Sequence, residues 1–412
     1  MNDTMNGMKK SNLLSVEEAL GLLLEQAKPL NDIELVATES ALWRVLAAPQ
    51  ISTVDVPPLD NSAMDGYAVR MTDLSTSTRL RVTQRIPAGC VGHILEAGTA
   101  ARIFTGAPVP PHCDAVVMQE NCTAENGEII VNKAPKAGEN IRRAGEDIQS
   151  GAELLAAGIK LRPQEMGLLA SVGLAHLPVY RKLRVATFFT GDEIIMPGQA
   201  LQPGQIYNSN RFVLTGLLKS LGCEVVDLGI VPDDLTTTIE ILRQAAACSD
   251  LIVTSGGVSV GEEDHVKAAV EHSGKLDLWR IAIKPGKPLA FGSAAGTAFI
   301  GLPGNPVSAF VTFCLFVRPF ILRRQGIVNV VSTHYPLHAD FDWNKPDSKR
   351  REFLRARMAF SEDGSPVAQI YPFQGSGVLT SCTWSDGLIE VAEGMTVQRG
   401  ETVKFTPFTE LF

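Results

Sequence analysis

From Leu183 to Arg323 the chain alternates apolar runs of strand length with segments whose apolar residues recur at helical spacing. That alternation constrains the fold more than any other feature. The run Leu183 to Phe189 is followed by Asn208 to Leu221, where Phe212, Leu214, Leu217, Leu218 and Leu221 share one helical face and Gly222 supplies a stop. A strand is expected at Glu224 to Val231, a helix at Asp234 to Cys248, and a third strand at Leu251 to Thr254. Further strands are expected at Leu278 to Ile283 and Thr297 to Gly301, with a closing helix from Asn305 to Arg323. A βαβαβ chain of this kind predicts a parallel sheet covered on both faces. Ligands of such sheets sit beyond the carboxyl ends of the strands.

The unusual residues fall at those ends. They are Thr190-Gly191-Asp192-Glu193, Pro232-Asp233-Asp234, the run from Ser255 to Asp264, Lys284-Pro285-Gly286-Lys287-Pro288, and Pro303-Gly304-Asn305-Pro306. Gly256, Gly257 and Gly261, with Ser255 and Ser259 beside them, allow the backbone to approach a ligand and aim N–H groups at an anion. Lys284 and Lys287 add cationic donors, while Glu193, Asp233 and Asp264 are hard oxygen ligands suited to Mg²⁺ bridging a phosphate. Acid and base on one rim imply a metal-bound polyanion, because carboxylates alone would repel it. Each feature also has a plainer reading. The Gly-Gly turn could be a simple connection, Asp233-Asp234 a helix cap, Lys284 a solvated tip, and Pro303 to Pro306 a rigid turn.

Around this unit the pattern changes. Ser15-Val16-Glu17-Glu18 is a capping box that opens a helix, and Leu154 to Gly173 suggests a short helix with Pro163 in its first turn. Between Thr53 and Pro135, and again after Gly326, short alternating runs broken by glycine and proline predict β structure. At 412 residues the chain exceeds one ordinary core. The expected fold class is therefore multidomain α/β plus β. Its parts are a linking domain from 13–52 and 141–180, a β-rich domain from 53–140, the α/β domain from 181–328, and a small barrel-like β domain from 329–412. A net charge of -8 with dispersed lysine and arginine argues against a nucleic-acid partner. The apolar stretch from Pro306 to Ile321 is too short for a membrane span and reads as a buried helix. Met1 to Asn12 lacks the apolar run of a signal peptide, and the seven cysteines form no CxxC pair, so a cytoplasmic location with reduced thiols is expected.

Two further segments look overspecified for surface turns: Asp60 to Ala68, with Asp65, and Asn140 to Ile148, with Asp147. Together with Thr105 to Pro110, Thr190 to Glu193, Ser255 to Gly261, Ile283 to Pro288 and Gly301 to Ser308, they resemble, in order, the signature stretches of molybdopterin molybdenumtransferases. This is the MoeA type, related to the E domain of gephyrin. The resemblance runs from about Ser15 to the C-terminus.

It implies a homodimer of four-domain subunits, with each site completed by the β-rich domains of the other copy, where Asp65, Thr105 and Asp147 acquire a role. The implied substrates are molybdate and adenylyl-molybdopterin, with release of AMP and finished cofactor. By similarity, Glu193, Asp233 and Asp264 sit at Mg²⁺ and the pterin phosphate. Lys284, Lys287, Ser308 and Arg355 offer donors to molybdate, and Thr190, Pro303, Gly304 and Asn305 belong to the same binding rim. Arg280 stands where the family often has lysine, and Phe189 where a small polar residue is usual. A molybdopterin adenylyltransferase would match only the middle domain, and a non-catalytic, gephyrin-like scaffold would not require the carboxylates and Lys284. An adenylyltransferase and molybdoenzyme-maturation proteins are the partners the resemblance implies.

Overall fold

The computed structural model describes residues 13–257 and 265–412. At its centre lie β1 (Arg184–Thr190), α1 (Ser209–Ser220), β2 (Glu224–Val231), α2 (Leu235–Cys248), β3 (Leu251–Ser255), α3 (His265–Ser273), β4 (Gly274–Arg280), β5 (Pro288–Ala294), β6 (Thr297–Leu302) and α4 (Pro306–Arg324). The sheet order is β2-β1-β3-β6-β5-β4. The first four strands are parallel, as expected.

The far edge departs from the all-parallel expectation. β5 and β6 form an antiparallel hairpin, because Ala295 and Gly296 both take positive φ and make the tight two-residue turn such a hairpin needs. The strand expected at Leu278 to Ile283 ends at Arg280, which pairs with Pro288. Ile283 and Lys284 leave the sheet and pair with Arg351 and Glu352 instead. The helix α3 and the strand β5 were not anticipated.

Helices cover both faces. On one face Leu214, Leu217 and Leu218 of α1 pack with Phe313, Phe316 and Phe320 of α4, and with Ala19 and Leu23 of the first helix, Val16–Gln26. On the other, Leu242 and Ala245 of α2 and Val266, Ala269 and Val270 of α3 enclose Ala186, Phe188 and Ile252. Full burial of each such phenylalanine contributes ~1.5–3 kcal/mol. Helix α4 is long and apolar enough to cross a membrane, but it is mostly buried in this core. Ser15 and Glu18 form the expected capping box. Pro163 opens the short helix Pro163–Ser171.

A six-stranded sheet built from residues 66–131 forms the β-rich unit. A last sheet closes on itself, because Arg351–Phe360 pairs both with Pro366–Ile370 and with Gly387–Val391.

Arg181 fastens the N-terminal part to the central sheet. Its Nη1 and Nη2 each donate to Asp250 at 2.7 Å, and its Nε donates to Asp32 at 2.8 Å. Burial alone would raise the Asp250 carboxyl, but the Arg181 hydrogen bonds and the Arg184 N–H hold it below the usual carboxylate range. A depressed folded value stabilises the fold above the unfolded pKa of ~3.9, and that contribution is lost as pH falls through the folded value. Stability of the parent protein is therefore expected to drop more steeply than that of Asp250→Asn below about pH 4, by urea denaturation at stepped pH. Parallel curves would remove this pair from the acid limb.

Candidate functional site

The carboxyl ends of β1, β3 and β6 and the N-termini of α1 and α4 enclose a cleft of about 740 Å³. The parallel register sets it up: Phe189 lies opposite Ser255, and Ser255 opposite Leu302. Three chain reversals therefore start at one level, and Thr190, Glu193, Ser255, Gly256, Gly257, Pro303, Gly304, Asn305 and Ser308 meet on one wall. All nine were singled out from the sequence.

Gly257 needs its glycine. Its φ is +64°, and an added Cβ would come within 2.6 Å of Val266 Cγ2 and 3.0 Å of Thr190 Oγ1. The turn is thereby pressed against β1 and α3, which leaves its backbone facing the cleft. Asn305 precedes Pro306 at the start of α4, so the positive end of the longest core helix is directed at the same space.

Two residues on this wall escaped the sequence reading. Asn208 caps α1, its Oδ1 accepting from the Arg211 N–H, and Asn210 lies in its first turn. Asn210 Nδ2 donates at 2.7 Å to both Ser255 Oγ and the Gly304 carbonyl, tying together the turns that follow β3 and β6. Asn210 Oδ1 and Asn208 Nδ2 are buried and have no partner among the described residues. Two asparagines at alternate positions of a helix start facing the rim were the available signal.

The other sequence candidates lie elsewhere. Lys284 does not line the cleft; its Nζ is 2.9 Å from Glu352 Oε1, a buried carboxylate that also accepts from Trp343 Nε1 and the Asp347 N–H. Lys287 is exposed beside Pro288, which does line it, and Arg280 pairs with Pro288 across β4 and β5. Asp233 is not on the wall, and Asp234 caps α2 through the Thr237 N–H, so the capping alternative holds for Asp234. Arg355 is fully buried in the C-terminal barrel. Its guanidinium donates to Ser381 Oγ and to the carbonyls of Phe353 and Gly375, and desolvation pushes its pKa down to about 10. It supports the segment whose Ser376 carbonyl accepts from Val307 N–H and whose Gly377 lines the cleft. Ser259, Gly261 and Asp264 lie outside the described residues.

Asp65 and Thr105 pair at the edge of the β-rich unit, and Asp147 lies beyond it in the segment that pairs with residues 60–68. Residues 60–68 pair with 140–148 through Asn61 and Arg142, and with the third segment through Asn61 and Pro108. Asp65 Oδ1 accepts from both the N–H and the hydroxyl of Thr105, each at 2.8 Å. Those bonds, the backbone one foremost, hold the exposed Asp65 carboxyl below its ordinary range. Asp147 is exposed, and its N–H donates to the Val56 carbonyl.

Among the described residues no three His, Cys, Asp or Glu side chains group as a metal site. The cleft does offer Glu193 and the hydroxyl and carbonyl oxygens around it, a donor set that fits a hard cation retaining most of its water and bridging a phosphate.

Three family models match the chain. "MoeA N-terminal region (domain I and II)" matches residues 14–173, "Probable molybdopterin binding domain" residues 186–323, and "MoeA C-terminal region (domain IV)" residues 337–408. The chain is 42% identical to the molybdopterin molybdenumtransferase of Haemophilus influenzae, over 97% of this chain and all of that one. It is 41% identical to the Nostoc protein of the same name, over 75% of each. A solved molybdopterin biosynthesis moeA protein from Pyrococcus horikoshii superposes with a TM-score of 0.83 at 31% identity, covering 96% of this chain and 100% of that one.

Replacing Asn210 by alanine removes both ties and leaves the Gly304 carbonyl and Ser255 hydroxyl without that donor. A stability loss of ~1–3 kcal/mol is expected by denaturant titration. An unchanged midpoint would show that the two turns hold their positions without it.

Proposed function

This chain belongs to the molybdopterin molybdenumtransferase family, and from that premise we propose that it inserts molybdate into adenylyl-molybdopterin, releasing AMP and molybdenum cofactor. The observation that carries the reading is the cleft: backbone turns and a helix N-terminus converge on a space suited to a phosphorylated ligand. Phe189, Ile194, Ile206 and Tyr207 supply an apolar side for a ring system, and Ser255, Asn305 and Ser308 supply polar groups for its phosphate. The reaction breaks one P–O bond of the anhydride, with water supplying the new oxygen, so negative charge grows on the departing phosphate. Mg²⁺ held by Glu193 would offset that charge. Lys287, exposed beside the lining residue Pro288, would serve molybdate with Ser308 on the wall, while Lys284 would act by holding its loop to Glu352 and Arg355 by holding the segment at Gly377. Arg280 keeps a cation beside Pro288.

We place Asp65, Thr105 and Asp147 in the cleft of a second copy, since none of them lines the cleft of their own chain. A homodimer with shared sites follows from this reading. Seven unpaired cysteines support a reducing, cytoplasmic setting.

Incubation with adenylyl-molybdopterin, Mg²⁺ and molybdate should release AMP; ATP consumption with unadenylylated molybdopterin would instead identify an adenylyltransferase. Glu193→Gln and Asp65→Asn should each slow AMP release more than ~10-fold with folding intact, at least ~1.4 kcal/mol of barrier. Mixing these two inactive variants tests the sharing. Half of randomly assembled dimers are mixed and each holds one intact site, so about a quarter of parental activity should return. No recovery after exchange of subunits would place each site within one chain.

A further inference from the structure

The β-rich unit carries an array that the reading above does not use. Arg102, on the strand Thr99–Ile103, lies opposite Tyr67 of Gly66–Val69 and opposite Arg85 of Arg79–Ile86. Its guanidinium carbon stands 5.1 Å from the Tyr67 ring centroid and 4.7 Å from that of Phe104, and Arg85 stacks on Phe104 at 4.7 Å. Arg102 Nη1 donates to the Gly66 carbonyl at 3.0 Å and Nη2 to Gln119 Oε1 at 2.6 Å. Gln119 in turn donates its backbone N–H to the Asp65 carbonyl at 3.1 Å.

These contacts surround one carboxylate. Gly66 follows Asp65, Phe104 precedes Thr105, and Gln119 holds the Asp65 main chain. Arg102 therefore touches the neighbours of both members of the Asp65–Thr105 pair without bonding to the pair itself. A planar fork is required, because one face must stack on a ring while two N–H groups reach acceptors on different segments, which an ammonium cannot do in the same way. The pair uses Asp65 Oδ1 only, and Oδ2 makes no hydrogen bond among the described residues. Its direction is thus fixed by how rigidly the residues on either side are held.

We propose that Arg102 is the positioning residue of the Asp65–Thr105 pair, clamping the backbone on both sides so that the second carboxylate oxygen is presented outward in one orientation. This rests on the reading that Asp65 serves the reaction. Arg102 lies behind the pair and acts through it, touching no substrate.

The test is a mutant cycle on AMP release from adenylyl-molybdopterin with Arg102→Met, Arg102→Lys, Asp65→Asn and the double variant Arg102→Met/Asp65→Asn. Arg102→Met is expected to lower kcat about 5-fold or more with KM within about 2-fold, and the double variant to be no slower than Asp65→Asn alone. Arg102→Lys, which keeps the cation over the rings, should recover part of the loss. Additive losses, or an Arg102→Met protein as fast as the parent while Asp65→Asn is slow, overturn the positioning role. An Asp65→Asn protein as fast as the parent overturns the underlying reading and this role with it, and the single variant identifies which has failed. Should Arg102→Met fail to fold, Arg102→Lys and Arg102→Lys/Asp65→Asn complete the same cycle.

Discussion

The parallel register of β1, β3 and β6 is the constraint on which the site depends. With Phe189 opposite Ser255 and Ser255 opposite Leu302, three reversals begin side by side. A slip of one residue would exchange inward and outward side chains along a strand and carry Thr190, Ser255 and Pro303 apart. Burial on both faces forbids such a slip, since Val185 and Ala186 belong to opposite cores. The hydrophobic pattern that makes the sheet therefore also aligns the polar turns. Asn210 then sets the fine spacing between two of them, at the cost of an unpaired carbonyl oxygen.

Charge is distributed in a way that composition could not disclose. Among the described residues the cleft wall has one carboxylate, Glu193, and neither lysine nor arginine. Two of the cations expected there are engaged elsewhere: Lys284 reaches Glu352 of the closed sheet, and Arg355 holds carbonyls inside it. Glu352 is buried with three donors about it, so a lone carboxylate at that depth would be costly without Lys284. The loop from Ile281 to Pro288 thus leaves and re-enters the central sheet, where Arg280 pairs with Pro288, and is held between by the pairing of Ile283 and Lys284 with the barrel. Gly286 allows its passage, because a Cβ there would meet Thr312 Oγ1 at 2.3 Å.

Periodicity revealed what is repetitive. The strands β1, β2, β3 and β6 and the helices α1, α2 and α4 came from apolar spacing, and the glycine turns from their place at strand ends. The edge hairpin was hidden because its two-residue turn, Ala295-Gly296, interrupts a run of small residues that carries no alternation. Long-range partners were hidden for a different reason. Nothing local distinguishes Lys284 facing a phosphate from Lys284 facing Glu352, which lies 68 positions on. The same holds for Arg355, whose burial depends on the closure of a sheet. Asp65 and Asp147 were recognised as unusual, but their separation from the cleft is a property of the fold.

That separation has a physical logic. Exposed carboxylates such as Asp65 and Asp147 would repel a phosphorylated ligand if they shared its pocket permanently, since like charges in a cleft of low dielectric interact strongly. Held on another unit, they add no further negative charge to a wall whose turn N–H groups and helix N-terminus can receive the anion. On the proposal that a second copy supplies them, the carboxylates meet the ligand only after the cleft has bound it. The orientation of Asp65 then matters more than its affinity for anything, because it arrives across an interface and must point correctly on arrival. An exposed side chain with free rotation would lose that advantage, which is why its Oδ1 is held twice by Thr105 and its backbone is held on the far side.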